Sequence, residues 1–440
     1  MRSLIGRLMS IFVLQSIVIL ALPGFTHAGE TATGQEQAGR QLPVYATDAG
    51  KGLPYMIELM RGRKAFLLGD ATHGTEEFYA FRKRVTRHLI RDLGVRVVVL
   101  EAEWDGGKMV DEYIRGLLPG TVCARQLLPQ AFKYWPVWVW ANEELVEFVE
   151  WLKEFNSHLP PDKMVRCRAM DMQFAIGAAL ESLAGVWPAD SRHGRIYDDL
   201  RRWWRQYEDY PMRYNFAYAE GRDTGNLMAT ELLSDLPAGD KEWRQRLIML
   251  IAAEEYYRVM SYNQYESWNI RSRHFSGYIE DILQEPEGAK GVVVWAHNSH
   301  VGDMSATDVQ GTGLTSFGAL LRERLGKDQV FILGSAGYSG TVLAAIEWYQ
   351  DPVEMVVPPA APGSLEAILD SGGWDNSLLV FEDDEQREKW SMPLLHRGIG
   401  VAYNAQAEMP SYYLTARISS RYDAVVFWRK TRSLQLMADP

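Results

Sequence analysis

Short runs of continuous apolar residues recur along the chain, and most of them stop abruptly at a polar or turn-forming residue. They are KAFLLGD (64–70), VRVVVLE (95–101), MVRCRAMD (164–171), GVVVWAH (291–297), QVFILGS (329–335), SLLVFE (377–382) and YDAVVFWR (422–429). Runs of this length without alternation suit strands covered on both faces, as in a parallel sheet. The segment between the first two runs has helical period, so the opening unit reads as β-α-β. The stretch 106–290 differs. It holds one strand candidate and much helical pattern, in NEELVEFVEWLKEFN (142–156), RIYDDLRRWWRQYEDY (195–210) and the long stretch 242–283. The pattern predicts an α/β fold: a mostly parallel sheet core flanked by helices, built from both ends of the chain, with a helical insertion at 106–290.

The chain opens with a different pattern. Arg2 and Arg7 precede the apolar stretch 8–22, Pro23 and Gly24 break it, and Thr26-His27-Ala28 suits cleavage. This reads as a signal peptide over 1–28, since the apolar stretch is shorter than the roughly 20 residues a membrane span needs. The polar segment 29–42 reads as a flexible leader. A periplasmic or secreted protein with no stable membrane span after signal removal is expected.

The 440 residues carry a formal charge of −11. Residues 1–28 contain two arginines and no acid, so the mature chain stands at −13. That balance disfavours nucleic acid as a partner, because phosphate binding rests on clustered Lys and Arg. Cys123 and Cys167 lie in no CxxC motif, so they form neither a zinc site nor a redox pair by pattern.

Three of the apolar runs end in ionisable residues. FLLG ends at Asp70 with His73 in the next turn, VVVL ends at Glu101 with Glu103 beyond, and VVVW ends at AHNSH with His297 and His300. Ligands of open α/β sheets bind outside the carboxyl ends of the strands, so these residues are expected on one rim. Two histidines three apart face opposite sides of a strand and share a site only if the chain turns there. On the helix after His73, Phe78, Phe81, Val85 and Leu89 form one stripe. Arg82 falls at its edge and needs a carboxylate partner, whereas Arg84, Arg87 and Arg91 lie away from it.

LLGDATHGTEEF, VVVLEAEW, DEYIRG (111–116), FVEWLKEFN (148–156), VVVWAHNSHVG (292–302), SFGALLRERLG (316–326) and RYDAVVF (421–427) together resemble the erythromycin esterase family. The resemblance implies a single domain over 43–440 and a hydrolase of carboxylic esters or lactones, macrolides among them, that works without a metal cofactor. It places the family's histidine at His73, its helical arginine at Arg82, its strand-end glutamate at Glu101 and its histidine pair at His297 and His300. The family's first acid is usually Glu and here is Asp70. A late Arg-Asp pair is represented by Arg271 with Ser272.

No Gly-x-Ser-x-Gly elbow is present, so a water activated by histidine is the simplest nucleophile, and the resemblance makes His73 that base. Asp70 or Glu101 would orient the ring, and Arg82, His297 or His300 would hold the oxyanion. Arg271 and Trp138 are candidate substrate contacts, Trp138 lying in the aromatic stretch YWPVWVW (134–140). The segment 301–318 is a candidate lid. Two alternatives use the same residues: a metal-dependent hydrolase, since histidines and carboxylates suit zinc or manganese, and a periplasmic protein that binds metal or haem without turnover.

Overall fold

A computed structural model describes residues 49–207, 224–260 and 262–437. The expected signal peptide and leader, and residues 208–210 of the helical pattern 195–210, lie outside these. The strands are β1 (Ala65–Asp70), β2 (Val97–Glu103), β3 (Arg166–Asp171), β4 (Val292–His297), β5 (Val330–Ala345), β6 (Pro352–Val357), β7 (Asn376–Val380), β8 (Pro393–Arg397), β9 (Tyr413–Arg417) and β10 (Ala424–Thr431). The main sheet runs β3-β2-β4-β1-β5-β10-β7. Its members from β3 to β10 are parallel, and β7 pairs antiparallel at the edge. β6 folds back on the long β5, and β8 and β9 form a separate hairpin. All seven apolar runs became strands of the main sheet. The three that the pattern missed, β6, β8 and β9, are short and only part-buried, so they carry no continuous apolar run.

Helices cover both faces of this α/β sheet. On one side Phe66, Leu68, Val98, Leu100, Val293 and Trp295 pack with helices Ala49–Met60, Glu76–Asp92 and Glu143–Ser157. On the other Leu67, Val99, Val294 and Ile332 pack with Phe275, Ile279, Phe317 and Leu321. Both faces of β1 are therefore buried at every residue, which explains its lack of alternation.

The helical stretch divides in two. Leu128, Phe148 and Leu152 belong to the sheet's own core. Ile176, Leu200, Trp204, Leu232, Leu250 and Tyr257 make a separate cluster. β3 returns the chain to the sheet between them. In chain order β1, β2 and β3 step toward one edge, β4 then inserts between β2 and β1, and β5 joins the far side of β1. This reversal of strand order is where such sheets open a crevice. The segment 301–318 is a packed wall rather than a lid. Met304, Val309 and Leu314 lie against Tyr265 and Trp268, and Asp308 N donates to Thr415 O at 2.9 Å.

Candidate active site

The carboxyl ends of β1 to β4 each deliver an ionisable residue to one end of the sheet. Asp70 and His297 are register partners across β1 and β4, and Glu103 and Asp171 pair across β2 and β3. A cavity of about 440 Å³ opens there, lined by His73, Glu101, Glu103, Asp171, Arg271, His297 and His300 among others. Asp70 stands behind His73, fully buried, and does not itself line the cavity.

The His73 turn is fixed by close packing. A Cβ on Gly74 would lie 1.8 Å from Leu343 O. Only glycine lets β5 come near enough for Leu343 N to donate to Gly74 O at 3.0 Å, and Leu434 N donates to the same oxygen at 2.8 Å. The Tyr79 hydroxyl sits 3.1 Å from His73 O and 2.8 Å from Val139 O. A Cβ on Gly69 would lie 2.3 Å from Asn298 Oδ1, so a bare backbone on β1 lets the turn after β4 settle against it.

Asp70 Oδ1 is 3.5 Å from His73 Nδ1, and Asp70 Oδ2 is 2.8 Å from Arg82 Nη1. The Arg82 contact is an ion pair without hydrogen-bond alignment. The guanidinium is sandwiched over the rings of Tyr79 and Trp295, at 4.4 and 4.9 Å. Burial opposes ionisation of Asp70, but Arg82 and His73 outweigh it and hold its carboxyl below the usual range. Burial also pulls the His73 pKa down, and Asp70 reverses this so that the ring is more basic than an ordinary histidine. Arg82 thus has its expected carboxylate partner, but it acts through Asp70 and does not line the cavity. Arg84 and Arg91 are exposed as the helix period predicts. Arg87 is not free in solvent: it pairs with Glu147 at 2.9 Å and lies over Trp151.

His297 lies beside His73, ring centroids 5.0 Å apart. Its Nδ1 accepts from Ser299 N at 3.2 Å and lies 2.8 Å from Ser299 Oγ. A ring nitrogen that accepts from a backbone N–H bears no proton, so in neutral His297 the proton sits on Nε2. Nε2 is buried and has no partner among the described residues. Burial, reinforced by the neighbouring His73, pushes the His297 pKa down to about 4.

Glu101 holds the next layer. Its Oε2 accepts from His297 N at 2.9 Å, and its Oε1 is 2.8 Å from Arg271 and 3.1 Å from His300 Nε2. Burial opposes its ionisation, but His300 and Arg271 hold it well below the carboxylate range. Arg271 also pairs with Asp171 at 2.5 Å and approaches His300 Nε2 at 2.9 Å. Burial lowers the His300 pKa despite Glu101. His300 is further fixed by stacking on Trp268, centroids 4.3 Å apart. The chain turns into the short helix Asn298–Val301, and that turn brings both histidines to one side.

Several expectations change. Arg271 does line the cavity, but as the hub of a charged cluster. Its acid comes from the end of β3, not from position 272. Trp138 is 4% exposed and sits in the sheet's core, because its short 3₁₀ turn points it inward. The neighbours Tyr134, Trp135, Val139 and Trp140 line the cavity instead. Glu103 accepts from Tyr134 N at 2.9 Å, and burial pushes its pKa up to about 7. Two aromatic residues that sequence reasoning passed over line the same cavity, Phe174 at φ 62° and Tyr349 at φ 67°. They are the positive-φ residues other than glycine among the described ones, a conformation that costs on the order of 1–3 kcal/mol each and clusters at functional sites. Phe174 stacks on Tyr134 at 4.8 Å and Tyr349 tilts against Trp135 at 5.2 Å. Cys123 and Cys167 are both free. Among the described residues no group of three or more His, Cys, Asp or Glu is arranged to hold a metal ion.

Solved structures share this fold at low identity. A succinoglycan biosynthesis protein matches with a TM-score of 0.70 at 16% identity, over 97% of this chain and 98% of its own. A Bacillus cereus protein matches with a TM-score of 0.71 at 15% identity, over 89% and 94%. A mutant erythromycin esterase, EreC, in its open conformation matches with a TM-score of 0.62 at 13% identity, over 87% and 94%. In sequence, a Bacillus subtilis (strain 168) protein named as a hydrolase, YbfO, is 22% identical over 384 residues, 80% of this chain and 83% of its own. The family model described as erythromycin esterase matches residues 90–431. Its bounds start after His73, yet they take in Glu101, Arg271, His297 and His300, and over that span the chain belongs to the erythromycin esterase family.

Proposed function

We propose that this hydrolase cleaves carboxylic esters or lactones with a water activated by His73. Family membership supports a hydrolase; the observation that carries the finer reading is the Asp70–His73–His297 arrangement. Asp70 takes the Nδ1 side of His73 and leaves Nε2 as the base. Arg82 keeps Asp70 ionised. Water gives its proton to His73 Nε2 and attacks the carbonyl carbon, and Asp70 stabilises the imidazolium that forms. The carbonyl oxygen gains negative charge as the tetrahedral intermediate forms, and His297 Nε2–H is the donor for it. The imidazolium then protonates the departing alkoxide.

The depressed pKa of His297 fits this division of roles. Two adjacent imidazoliums would repel, so one ring cycles its proton while the other stays neutral and donates. The cavity's Tyr, Trp and Phe side chains suit a substrate with a large apolar part. We also infer export to the periplasm or beyond from residues 1–28, with a small-molecule ester or lactone as partner.

The test is a hydrolysis screen of the mature protein over macrolides and simple esters, with and without chelator. His73→Ala should fold and lose activity by roughly 10² or more. An active His73→Ala enzyme would overturn the proposal. Activity abolished by chelation and restored by zinc or manganese would replace the histidine-activated water with a metal-bound one.

A further inference from the structure

Three arginines line the cavity, and two of them are neutralised. Arg271 pairs with Glu101 and Asp171. Arg397 pairs with Glu408 at 2.9 Å and donates to Gly337 O and Tyr338 O at 2.6 Å. Arg421 differs. It is 1% exposed. Its Nε donates to Tyr422 OH at 2.8 Å and its Nη2 to Asn298 O at 3.1 Å, while Nη1 has no acceptor among the described residues. None of these partners is a carboxylate.

The nearest compensation is remote. Tyr422 OH, having accepted from Arg421, lies 3.3 Å from His396 Nε2. His396 Nδ1–H then donates to Glu366 Oε1 at 2.8 Å. Glu366 is therefore reached only through the Tyr422 and His396 side chains, and it also accepts from Arg397 N at 3.0 Å. A buried guanidinium left in that state is costly, because charges buried in proteins are normally paired. His396 lines the cavity with Arg421, and Gly398, two residues on and just past the end of β8, abuts His297: a Cβ there would lie 3.6 Å from His297 Cε1. The unbalanced charge thus sits on the wall next to the proposed oxyanion donor.

We propose that Arg421 forms an anion subsite of this cavity, and that the ester or lactone cleaved here carries a second, acidic group, a carboxylate, which pairs with Arg421. The proposal rests on the cavity being the substrate site but not on the hydrolytic roles of its histidines. A carboxylate presents two oxygens to one guanidinium edge and supplies the charge that the protein leaves out. Asn298, whose amide donates to Ser335 O at 2.8 Å and whose carbonyl holds Arg421, fixes the guanidinium against the turn that carries His297.

The test measures binding without turnover. Mature His73→Ala protein is titrated calorimetrically with glutarate monomethyl ester, with dimethyl glutarate and with inorganic phosphate. The half-ester should bind roughly tenfold or more tighter than the diester, and Arg421→Gln should erase that preference. Arg421→Lys, which keeps the charge, should retain part of it and stands in if the Gln variant does not fold. Equal binding of half-ester and diester overturns the proposal, as does a preference that survives Arg421→Gln. Phosphate binding tighter than the half-ester would overturn the carboxylate assignment. Half-ester preference in a protein that hydrolyses no ester would leave the subsite standing and defeat the hydrolytic reading, so the two failures are distinct.

Discussion

Lowering the pH should destabilise this protein through His297 in particular. In the unfolded chain a histidine titrates near 6.5, whereas in the folded protein burial and the adjacent His73 push His297 down to about 4. A base with a depressed folded pKa favours the folded state when it is neutral. Its stabilising contribution is therefore complete above pH ~6.5 and is lost as the pH falls toward about 4. Linkage between those two values gives a loss of about 2 kcal/mol between pH ~7 and pH ~5. The perturbation is His297→Gln, which removes the titrating ring and keeps a side chain of similar reach. Urea unfolding of wild type and variant at both pH values isolates the term, because contributions from His274 and His300, also depressed by burial, cancel in the difference. The wild type should lose about 2 kcal/mol more than the variant. Parallel losses would show that His297 is not held neutral, and the assignment of Nε2–H as the resting oxyanion donor would fall with it.

The same geometry fixes other outcomes. Hydrolysis should rise with pH as His73 loses its proton, with a midpoint above the ordinary histidine value, and Asp70→Asn should move that midpoint down; an unmoved midpoint would separate Asp70 from the base. Asp70→Asn or Arg82→Met alone should cost about 3–5 kcal/mol, since each strands a buried charge or its partner, while the double variant should cost less than the sum in denaturant unfolding. Gly74→Ala should lower stability by about 2 kcal/mol or more and depress activity, because its methyl meets Leu343 O and β5 must shift. Glu103, raised to about 7, contributes stability that is complete below the ordinary carboxylate range and lost as the pH climbs to about 7, so Glu103→Gln should be more stable than wild type at pH ~8 and closer to it at pH ~5.

What sequence revealed here, and what it hid, follows from the range of each interaction. Seven of the eight main-sheet strands were legible because burial on both faces leaves an uninterrupted apolar run. Arg82 was legible because helical period alone places it at the edge of a buried stripe. The rule that drew attention to Asp70, Glu101 and His297, an ionisable residue closing an apolar strand, applies equally to Asp171 at the end of RCRAMD. That run is interrupted by Arg166 and Arg168, which are part-exposed at the sheet edge, and the interruption masked the signal. Trp138 and Trp135 are three residues apart in one aromatic stretch, and only the path of a single 3₁₀ turn decides which ring is core and which is wall. The Asp70–Arg82 pair shows the cost of reading a turn acid without its burial. A carboxylate facing a polar pocket predicts little loss on Asp70→Asn, whereas one buried under a guanidinium predicts a large one. Arg421 lay furthest from view. Nothing in RYDAVVF marks its arginine as unpaired, because pairing is a property of what the fold brings near, and near Arg421 it brought a tyrosine, an asparagine carbonyl and the cavity.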